Sequence, residues 1–247
     1  MQEVTWEDFE AFVKKSGVVI VPVGSTEQHG PHLPLGVDAI IPFELSKRLA
    51  EKMDIMIAPS ITWGFKPQPG SSGGGEFPGT CSLDGTTLIA LLRDLLRELI
   101  RHKVKKIIVL DGHFENSLFL NEGVELALRD HGYPTGVKVV IARWFELVNT
   151  DEYNRIFPNF EGIALEHAAN LETVMLLHFK PELVKKDKIR GDRAQRSPPY
   201  TVLPPTQDLI PKTGVLTEIK TVNAQQGEKI ADIVVERLTD LIQKEFS

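Results

Sequence analysis

The sequence predicts an α/β class protein, a single-domain layered fold in which a mainly parallel β-sheet is flanked by helices. Short runs rich in β-branched residues alternate along the chain with longer stretches whose apolar residues recur at helical spacing. Such alternation places crossover helices between parallel strands. The 247 residues contain no internal repeat, low-complexity tract or linker, so we expect one domain over residues 1–247.

The individual elements follow from local patterns, taken in chain order. Buried strands are predicted at Val18–Val23, Ile55–Ile61, Lys106–Leu110 and Val137–Ala142. Apolar periodicity and capping residues predict helices at Ala39–Met53, from an N-cap at Asp84 to His102, and at Asn116–His131, Glu166–Phe179 and Asn223–Lys244. Turn-forming residues predict a long loop at Gly64–Gly79 and a surface segment at Ser197–Pro211.

The composition and net charge indicate which partners and which cellular location to expect for this protein. Hydrophobic residues make up 42% and charged residues 25%, as is ordinary for a globular chain. The net charge of −6 disfavours a nucleic-acid partner, which requires a basic face. We expect no membrane contact, because no run approaches the roughly 20 apolar residues of a membrane span and the acidic start does not resemble a signal peptide. The single cysteine, Cys81, fits a reducing compartment, so a cytoplasmic location is expected.

The first segment that carries chemistry is Gly24–Asp38, which reads GSTEQHGPHLPLGVD and directly follows the first predicted strand. Ligands of open α/β sheets gather beyond the carboxyl ends of strands, so this position favours a functional site. Glu27 and His29 stand two residues apart and point to the same side if the backbone is extended. Carboxylate and imidazole groups are ligands that Zn²⁺ and Mn²⁺ accept. Asp38 lies where the next helix begins, in a position to bridge two ions.

The second segment, Asp111–Asn116, follows the third strand and repeats the pairing through His113 and Glu115. Each triplet alone is weak evidence, because such triplets arise by chance and commonly mark solvated loops. Their joint occurrence after two strands favours a metal site whose ions keep an open position for water. Spacing alone leaves a phosphate or sugar site open.

Longer motifs connect the chain to a known family. The runs GSTEQHGPHLPLGVD and GHFEN resemble the creatininase (creatinine amidohydrolase) family, and the first is highly specific for it. The resemblance covers nearly the whole chain through TWEDFE, SGGGxFPGTxSLDG, LEH and PPYxV. The GHxEN form and the SGGG loop are closer to true creatininases than to family branches that carry GHGGN.

The resemblance implies two divalent metal ions per subunit, Zn²⁺ and/or Mn²⁺. It assigns Glu27 and His113 to one ion, His29 and Glu115 to the other, and Asp38 to a bridge between them. Family members are typically homohexamers, so a homo-oligomer, and specifically a hexamer, is expected.

Further residues are implied on the substrate side of the site. The resemblance gives Glu166 and His167 roles in proton transfer, and gives Glu166 a role in substrate binding as well. The other implied substrate contacts are Ser72 on the glycine-rich loop and Trp144 at the mouth of the site. Phe114 and Ile163 are two further implied contacts beside them.

The expected reaction is the reversible hydrolysis of the cyclic amide of creatinine to creatine, and the implied partner is thus a small-molecule amide. Metal binding lowers the pKa of water from about 15.7 toward about 7, which makes a metal-bridging hydroxide available to attack the amide carbonyl. The cations stabilise the oxyanion that forms. His167 or Glu166 then protonates the leaving nitrogen.

Three positions depart from the pattern of true creatininases. Phe114 replaces a tyrosine, and Ile163 and Ala164 replace a tryptophan and an aspartate. These changes remove a hydroxyl, an aromatic lid and a carboxylate from the substrate side. One alternative is therefore a sister amidohydrolase that acts on another small cyclic amide or formamide. An alternative of another class is a catalytically silent, metal-bearing binding or assembly protein.

Overall fold

Four parallel strands form the centre of this computed structural model, which describes residues 1–158 and 160–247. They are β1 (Val18–Val23), β2 (Ile55–Ile57), β3 (Lys106–Asp111) and β4 (Lys138–Arg143). Their order in the sheet is β2-β1-β3-β4, and every neighbouring pair is parallel. The predicted α/β fold with a parallel sheet is confirmed.

Eight α-helices connect and surround these strands among the residues described. They are α1 (Trp6–Lys14), α2 (Val37–Ala50), α3 (Pro69–Ser72), α4 (Gly85–Arg101), α5 (Ser117–Asp130), α6 (Thr150–Ile156), α7 (Asn170–Phe179) and α8 (Ala224–Glu245). No helix in the described part of the chain is both long enough and apolar enough to span a membrane.

The sheet is covered on both faces because successive strand residues point to opposite sides. Val19 and Val21 of β1 point towards α4 and α5. The buried side of α4 repeats every three or four residues, as an amphipathic helix requires, through Leu88, Leu92, Leu96 and Leu99. Val18 and Ile20 point the other way, into a core shared with α2, α7 and α8.

Two predicted elements are shorter in the structure. The ladder of β2 ends at Ile57 instead of Ile61, because Pro59 has no N–H to continue it and only an isolated bridge joins Val23 to Ile61. The helix predicted from Glu166 begins at Asn170, because Ala168 has a positive φ of 53° and interrupts the helical backbone.

Three helices have no counterpart in the sequence-based prediction. The helices α1 and α6 both begin with capping boxes, formed by Thr5 with Asp8 and by Asn149 with Glu152. Helix α3 is a single turn inside the predicted loop Gly64–Gly79. This turn carries serine hydroxyls towards the carboxyl ends of the strands, where the site lies.

Candidate metal centre

The two motif segments meet at the carboxyl ends of the central strands. β1 and β3 are neighbours, while the chain passes from β1 outward to β2 on one side and from β3 outward to β4 on the other. This reversal is a topological switch point, where open α/β sheets form crevices for ligands. The segment after β1 and the segment after β3 therefore face the same crevice.

Two glycines bring the start of α2 against the ends of these strands. A Cβ atom on Gly24 would lie 2.4 Å from the carbonyl group of Asp38, and a Cβ atom on Gly112 would lie 2.1 Å from the Asp38 carbonyl oxygen. Neither distance is sterically possible, so only glycine permits this approach. The close packing fixes the backbone of Asp38 between β1 and β3.

Asp38 consequently reaches two histidines with different carboxylate oxygens. Its Oδ1 lies 3.0 Å from Nε2 of His29, and its Oδ2 lies 3.2 Å from Nδ1 of His113. The Oε1 atom of Glu27 lies 3.2 Å from the same Nδ1 atom of His113. All four side chains are buried. Glu27, Asp38 and His113 thus offer one set of ligand atoms within 4.8 Å of one another.

A second set contains Glu172, which the sequence-based prediction missed. Oε2 of Glu172 lies 3.6 Å from Nε2 of His29, and these two residues form a group with Asp38 in which the ligand atoms lie within 4.8 Å of one another. Glu172 is in the first turn of α7, close in sequence to the Glu166–His167 pair. A carboxylate in the largely apolar run LETVMLLHF is the sequence signal that could have identified it.

Glu115, which the family resemblance assigns to the same ion as His29, remains a predicted ligand. Residues Phe114–Asn116 form a 3₁₀ turn in place of an extended strand, and Oε2 of Glu115 lies 3.5 Å from Nε2 of His113, whereas Glu27 and Asp38 lie beside Nδ1. Within the described chain, Glu115 belongs to none of the groups close enough to hold a metal. Its carboxylate instead accepts hydrogen bonds from the hydroxyls of Ser71 and Ser72 and from the Gln68 amide.

The buried carboxylates have the character of an ion site. Both carboxylate oxygens of Glu27 and Oδ2 of Asp38 lack a hydrogen bond of good geometry from any described residue. Burial raises the pKa of Glu27 to about 8. Burial also acts to raise the pKa of Asp38, but the adjacent imidazoles outweigh it and hold that pKa below its usual range. Buried, unsatisfied carboxylates with imidazoles beside them fit divalent cations, which supply the missing positive charge.

The third histidine, His167, lies over the first set of ligands. Its ring packs against that of His29 with centroids 4.4 Å apart, and its Nδ1 atom lies 3.5 Å from Oε1 of Glu27. Its Nε2 atom lies 2.9 Å from both the carbonyl oxygen and the side-chain nitrogen of Gln28. Burial, reinforced by the neighbouring His29, lowers the pKa of His167 well below its usual value. His167 is thus a neutral imidazole held in a fixed orientation.

Glu166 is buried beside this histidine and is held by the start of α7. Its Oε2 atom accepts a 2.8 Å hydrogen bond from the backbone N–H of Leu171. Burial raises the pKa of Glu166 to about 7, and the hydrogen bond from Leu171 opposes this rise. A carboxyl group with this pKa can both hold and release a proton near neutral pH.

One cavity is lined by all of the residues that were predicted to contact substrate. Its volume is about 40 Å³, and Glu27 and Asp38 form part of its wall. Phe114 is 40% exposed at the cavity mouth, whereas Trp144 is buried and its indole N–H has no partner among the described residues. The predicted substrate contacts that line this cavity are Ser72, Phe114, Trp144, Ile163 and Glu166.

Comparisons with known proteins agree with this geometry. Residues 2–242 match the family described as Creatininase: Creatinine amidohydrolase. The chain is 37% identical over 250 residues to the creatinine amidohydrolase of Pseudomonas putida, covering 99% of this chain and 96% of that protein. It is 30% identical over 239 residues to the mycofactocin precursor peptide peptidase of Mycolicibacterium smegmatis, covering 92% of this chain and 85% of the peptidase.

Solved structures extend the comparison to the fold and to metals. A crystal structure of a creatinine amidohydrolase (creatininase) superposes with a TM-score of 0.96 at 37% identity, covering 100% of this chain and 97% of that one. A structure named as a manganese creatininase superposes with a TM-score of 0.96 at 36% identity, and the match covers 100% of this chain and 98% of that one. A mutant creatininase of the Zn-Zn type has the same TM-score and identity, and the match covers 100% of this chain and 97% of that one. With its family match, its fold and its cluster of potential metal ligands, this chain belongs to the creatininase family of hydrolases.

Proposed function

We propose that the protein is a dinuclear-metal amidohydrolase that converts creatinine reversibly to creatine. The observation that carries the proposal is the position of Asp38, whose two carboxylate oxygens lie 3.0 Å and 3.2 Å from His29 and His113 at the wall of a cavity. The 37% identity to a creatinine amidohydrolase supports creatinine as the first substrate to test.

The ligand groups suggest how two ions would be held. Glu27 and His113 would bind one ion, His29 and Glu172 the other, and Asp38 both, since two of the three groups of clustered ligand atoms among the described residues have these members; the third joins Glu27 and His29 to His167. Zinc and manganese both accept this mixture of carboxylate and imidazole ligands. When bound, such ions activate water for attack and polarise an amide carbonyl.

The residues of the chain would then handle the proton and the substrate. Glu166, with its pKa of about 7, takes a proton from the attacking water and returns it to the leaving nitrogen as the amide C–N bond breaks. The neutral imidazole of His167 lies beside it and assists this transfer. The unpartnered indole N–H of Trp144 supplies a hydrogen bond to a substrate oxygen. Ser72, Phe114 and Ile163 form the remaining contacts.

A second candidate function is hydrolysis of a different amide. Phe114 lines the cavity mouth without the hydroxyl that a tyrosine would supply, and Ile163 offers no aromatic face for stacking. A relative named as a mycofactocin precursor peptide peptidase, at 30% identity, supports this alternative. Other small cyclic amides and formamides therefore belong in the same assay.

The assay uses protein loaded separately with zinc and with manganese, and it follows creatine formation from creatinine alongside a panel of cyclic amides and formamides. Turnover of creatinine at the highest kcat/KM supports the first proposal. Turnover of another amide without creatinine would favour the second. A fully metal-loaded protein that hydrolyses none of these compounds would support a catalytically silent binding or assembly protein.

We also propose a homohexamer in the cytoplasm, built from one domain per chain over residues 1–247. The family resemblance is the support for the hexamer. Light scattering coupled to gel filtration should then give about six times the subunit mass of 27.6 kDa. A monomeric mass at micromolar concentration would contradict the hexamer, and two separate unfolding transitions would contradict the single domain.

A further inference from the structure

A second cavity adjoins the catalytic one and has no role in the function proposed above. Its volume is about 530 Å³, whereas the catalytic cavity measures about 40 Å³. Ser71, at the end of α3, lines both cavities. The 3₁₀ turn Ile163–Leu165 also contributes to both, with Ile163 in the wall of the catalytic cavity and Leu165 in the wall of the second. The two spaces are therefore neighbours that share part of their walls.

The lining of the second cavity combines positive charge with apolar surface. Among the described residues that line it, two are arginines, Arg193 and Arg196, and none is an aspartate or a glutamate. Apolar side chains form the rest of the wall. Some of them belong to the motif PPYxV, which does not line the catalytic cavity. The residues of this apolar wall include Leu165, Pro198, Tyr200, Val202, Leu209 and Leu216.

Both guanidinium groups are oriented but retain unused donors. Nη2 of Arg193 donates to Glu161 at 2.6 Å and to Thr217 at 3.0 Å. Nε of Arg196 donates to Asp208 at 2.6 Å, and its Nη2 donates to the Thr206 hydroxyl at 3.4 Å. A guanidinium carries five N–H donors, so each arginine can still donate to a further anion. The side chains are 49% and 41% exposed, respectively, which leaves them accessible to a ligand.

We propose that the second cavity binds the carboxylate-bearing half of a linear amide, an N-acyl amino acid, while a small acyl group occupies the catalytic cavity. The proposal rests on the amidohydrolase function and adds a substrate class to it. The catalytic cavity is the smaller of the two, so it is assigned the small acyl group. Apolar walls and two arginines suit an amino acid with an apolar side chain and a free carboxylate.

The reaction on such a substrate is hydrolysis without oxidation or reduction. The oxygen of water bonds to the acyl carbon, and the bond between that carbon and the amide nitrogen breaks. Both protons of the water end on the nitrogen, so the products are a carboxylate and a free amino acid. Leu165 directly precedes Glu166 in the chain, so the second cavity lies next to the group that transfers the proton.

The experiment compares N-acetyl-leucine with N-acetyl-leucinol, which has a hydroxymethyl group in place of the carboxylate. Release of leucine or leucinol by the metal-loaded protein is measured, with creatinine, which has no carboxylate, as the reference substrate. We expect kcat/KM for N-acetyl-leucine to exceed that for N-acetyl-leucinol at least about tenfold, because a charge-assisted hydrogen bond contributes to its binding.

Arginine variants test the cause. Arg193→Gln and Arg196→Gln should each raise KM for N-acetyl-leucine about tenfold and leave KM for creatinine within about twofold. Arg237→Gln is the matched control, because Arg237 also pairs with a glutamate, Glu152 at 3.2 Å, and lines neither cavity. Equal rates on the two acetylated compounds, or equal effects of the variants on both substrates, would overturn the proposal.

A binding measurement separates this proposal from the proposed function. Calorimetric titration of the zinc-loaded protein with both acetylated compounds requires no turnover. Binding that depends on the carboxylate and on Arg196 supports the second cavity even if creatinine is not hydrolysed. Turnover of creatinine without carboxylate-dependent binding would refute the second cavity and leave the amidohydrolase function intact.

Discussion

At the residue scale, the two glutamates that compete for the role of metal ligand can be separated by metal content. Glu172→Gln should remove about one ion per subunit, because its carboxylate lies 3.6 Å from His29 and belongs to a group of potential ligands. Glu115→Gln should retain the full metal content, since Glu115 is hydrogen-bonded to serine hydroxyls. Elemental analysis of both purified variants is the measurement, and metal loss from Glu115→Gln alone would reverse the assignment.

A second prediction at this scale concerns pH and the buried residue His32. Its Nε2 atom lies 2.9 Å from the Thr173 hydroxyl, and burial, together with the nearby His29, lowers its pKa to about 4. In the unfolded chain the pKa is about 6.5, so the unfolded state takes up the proton first as the pH falls. Stability is therefore lost between about pH 6.5 and pH 4, by about 2 kcal/mol on going from pH 7 to pH 5.

The measurement is urea denaturation of the wild-type protein and of His32→Gln at a series of pH values. Glutamine keeps a polar group near Thr173 and does not titrate, so the stability of the variant should fall less between pH 7 and pH 5. Parallel curves for the two proteins would show that His32 does not contribute to the acid sensitivity.

At the scale of elements, the apolar core formed by α4, α5 and one face of the sheet can be tested by mutation. Leu92 is completely buried there, whereas the neighbouring Leu91 is 42% exposed. Leu92→Ala should lower the free energy of unfolding by about 2–5 kcal/mol, because it leaves a cavity in the core. Leu91→Ala is the matched control and should change it by about 0.5 kcal/mol or less. Similar losses in chemical denaturation for both variants would contradict the assigned buried face.

The limits of the sequence-based prediction also appear at this scale. Strands and long helices have strong periodicity, and their predicted ends mostly agree with the structure to within one to three residues. The local backbone at Glu115 could not be predicted, since residues Phe114–Asn116 form a 3₁₀ turn in place of an extended strand. Glu172 could not be placed, because its approach to His29 depends on how α7 packs against α2 and α8.

At the scale of the whole molecule, metal removal should lower the thermal stability. The proposed ligands come from segments that are far apart in the sequence, Glu27–Asp38, His113 and Glu172, so the unfolded chain has no preformed site. An ion present at 100 times its dissociation constant stabilises the folded state by about 2.7 kcal/mol. For a chain of this size, this corresponds to a rise in Tm of about 5 °C or more.

Differential scanning calorimetry after chelation, and after re-addition of zinc or manganese, measures this effect. Asp38→Asn is the control, because its Tm should respond much less to added metal. If chelation removes the ions and leaves the Tm of the wild-type protein unchanged, the metal does not couple to folding.

The close contact of Gly24 and Gly112 with the Asp38 backbone has a consequence for engineering. Because backbone packing sets the position of Asp38, ligand side chains can be exchanged singly while the scaffold keeps its shape. Libraries that seek new substrates should therefore vary the cavity rim at Phe114 and Ile163 and leave both glycines untouched. Any side chain at Gly24 or Gly112 would push α2 away from the sheet and remove the scaffold on which every variant depends.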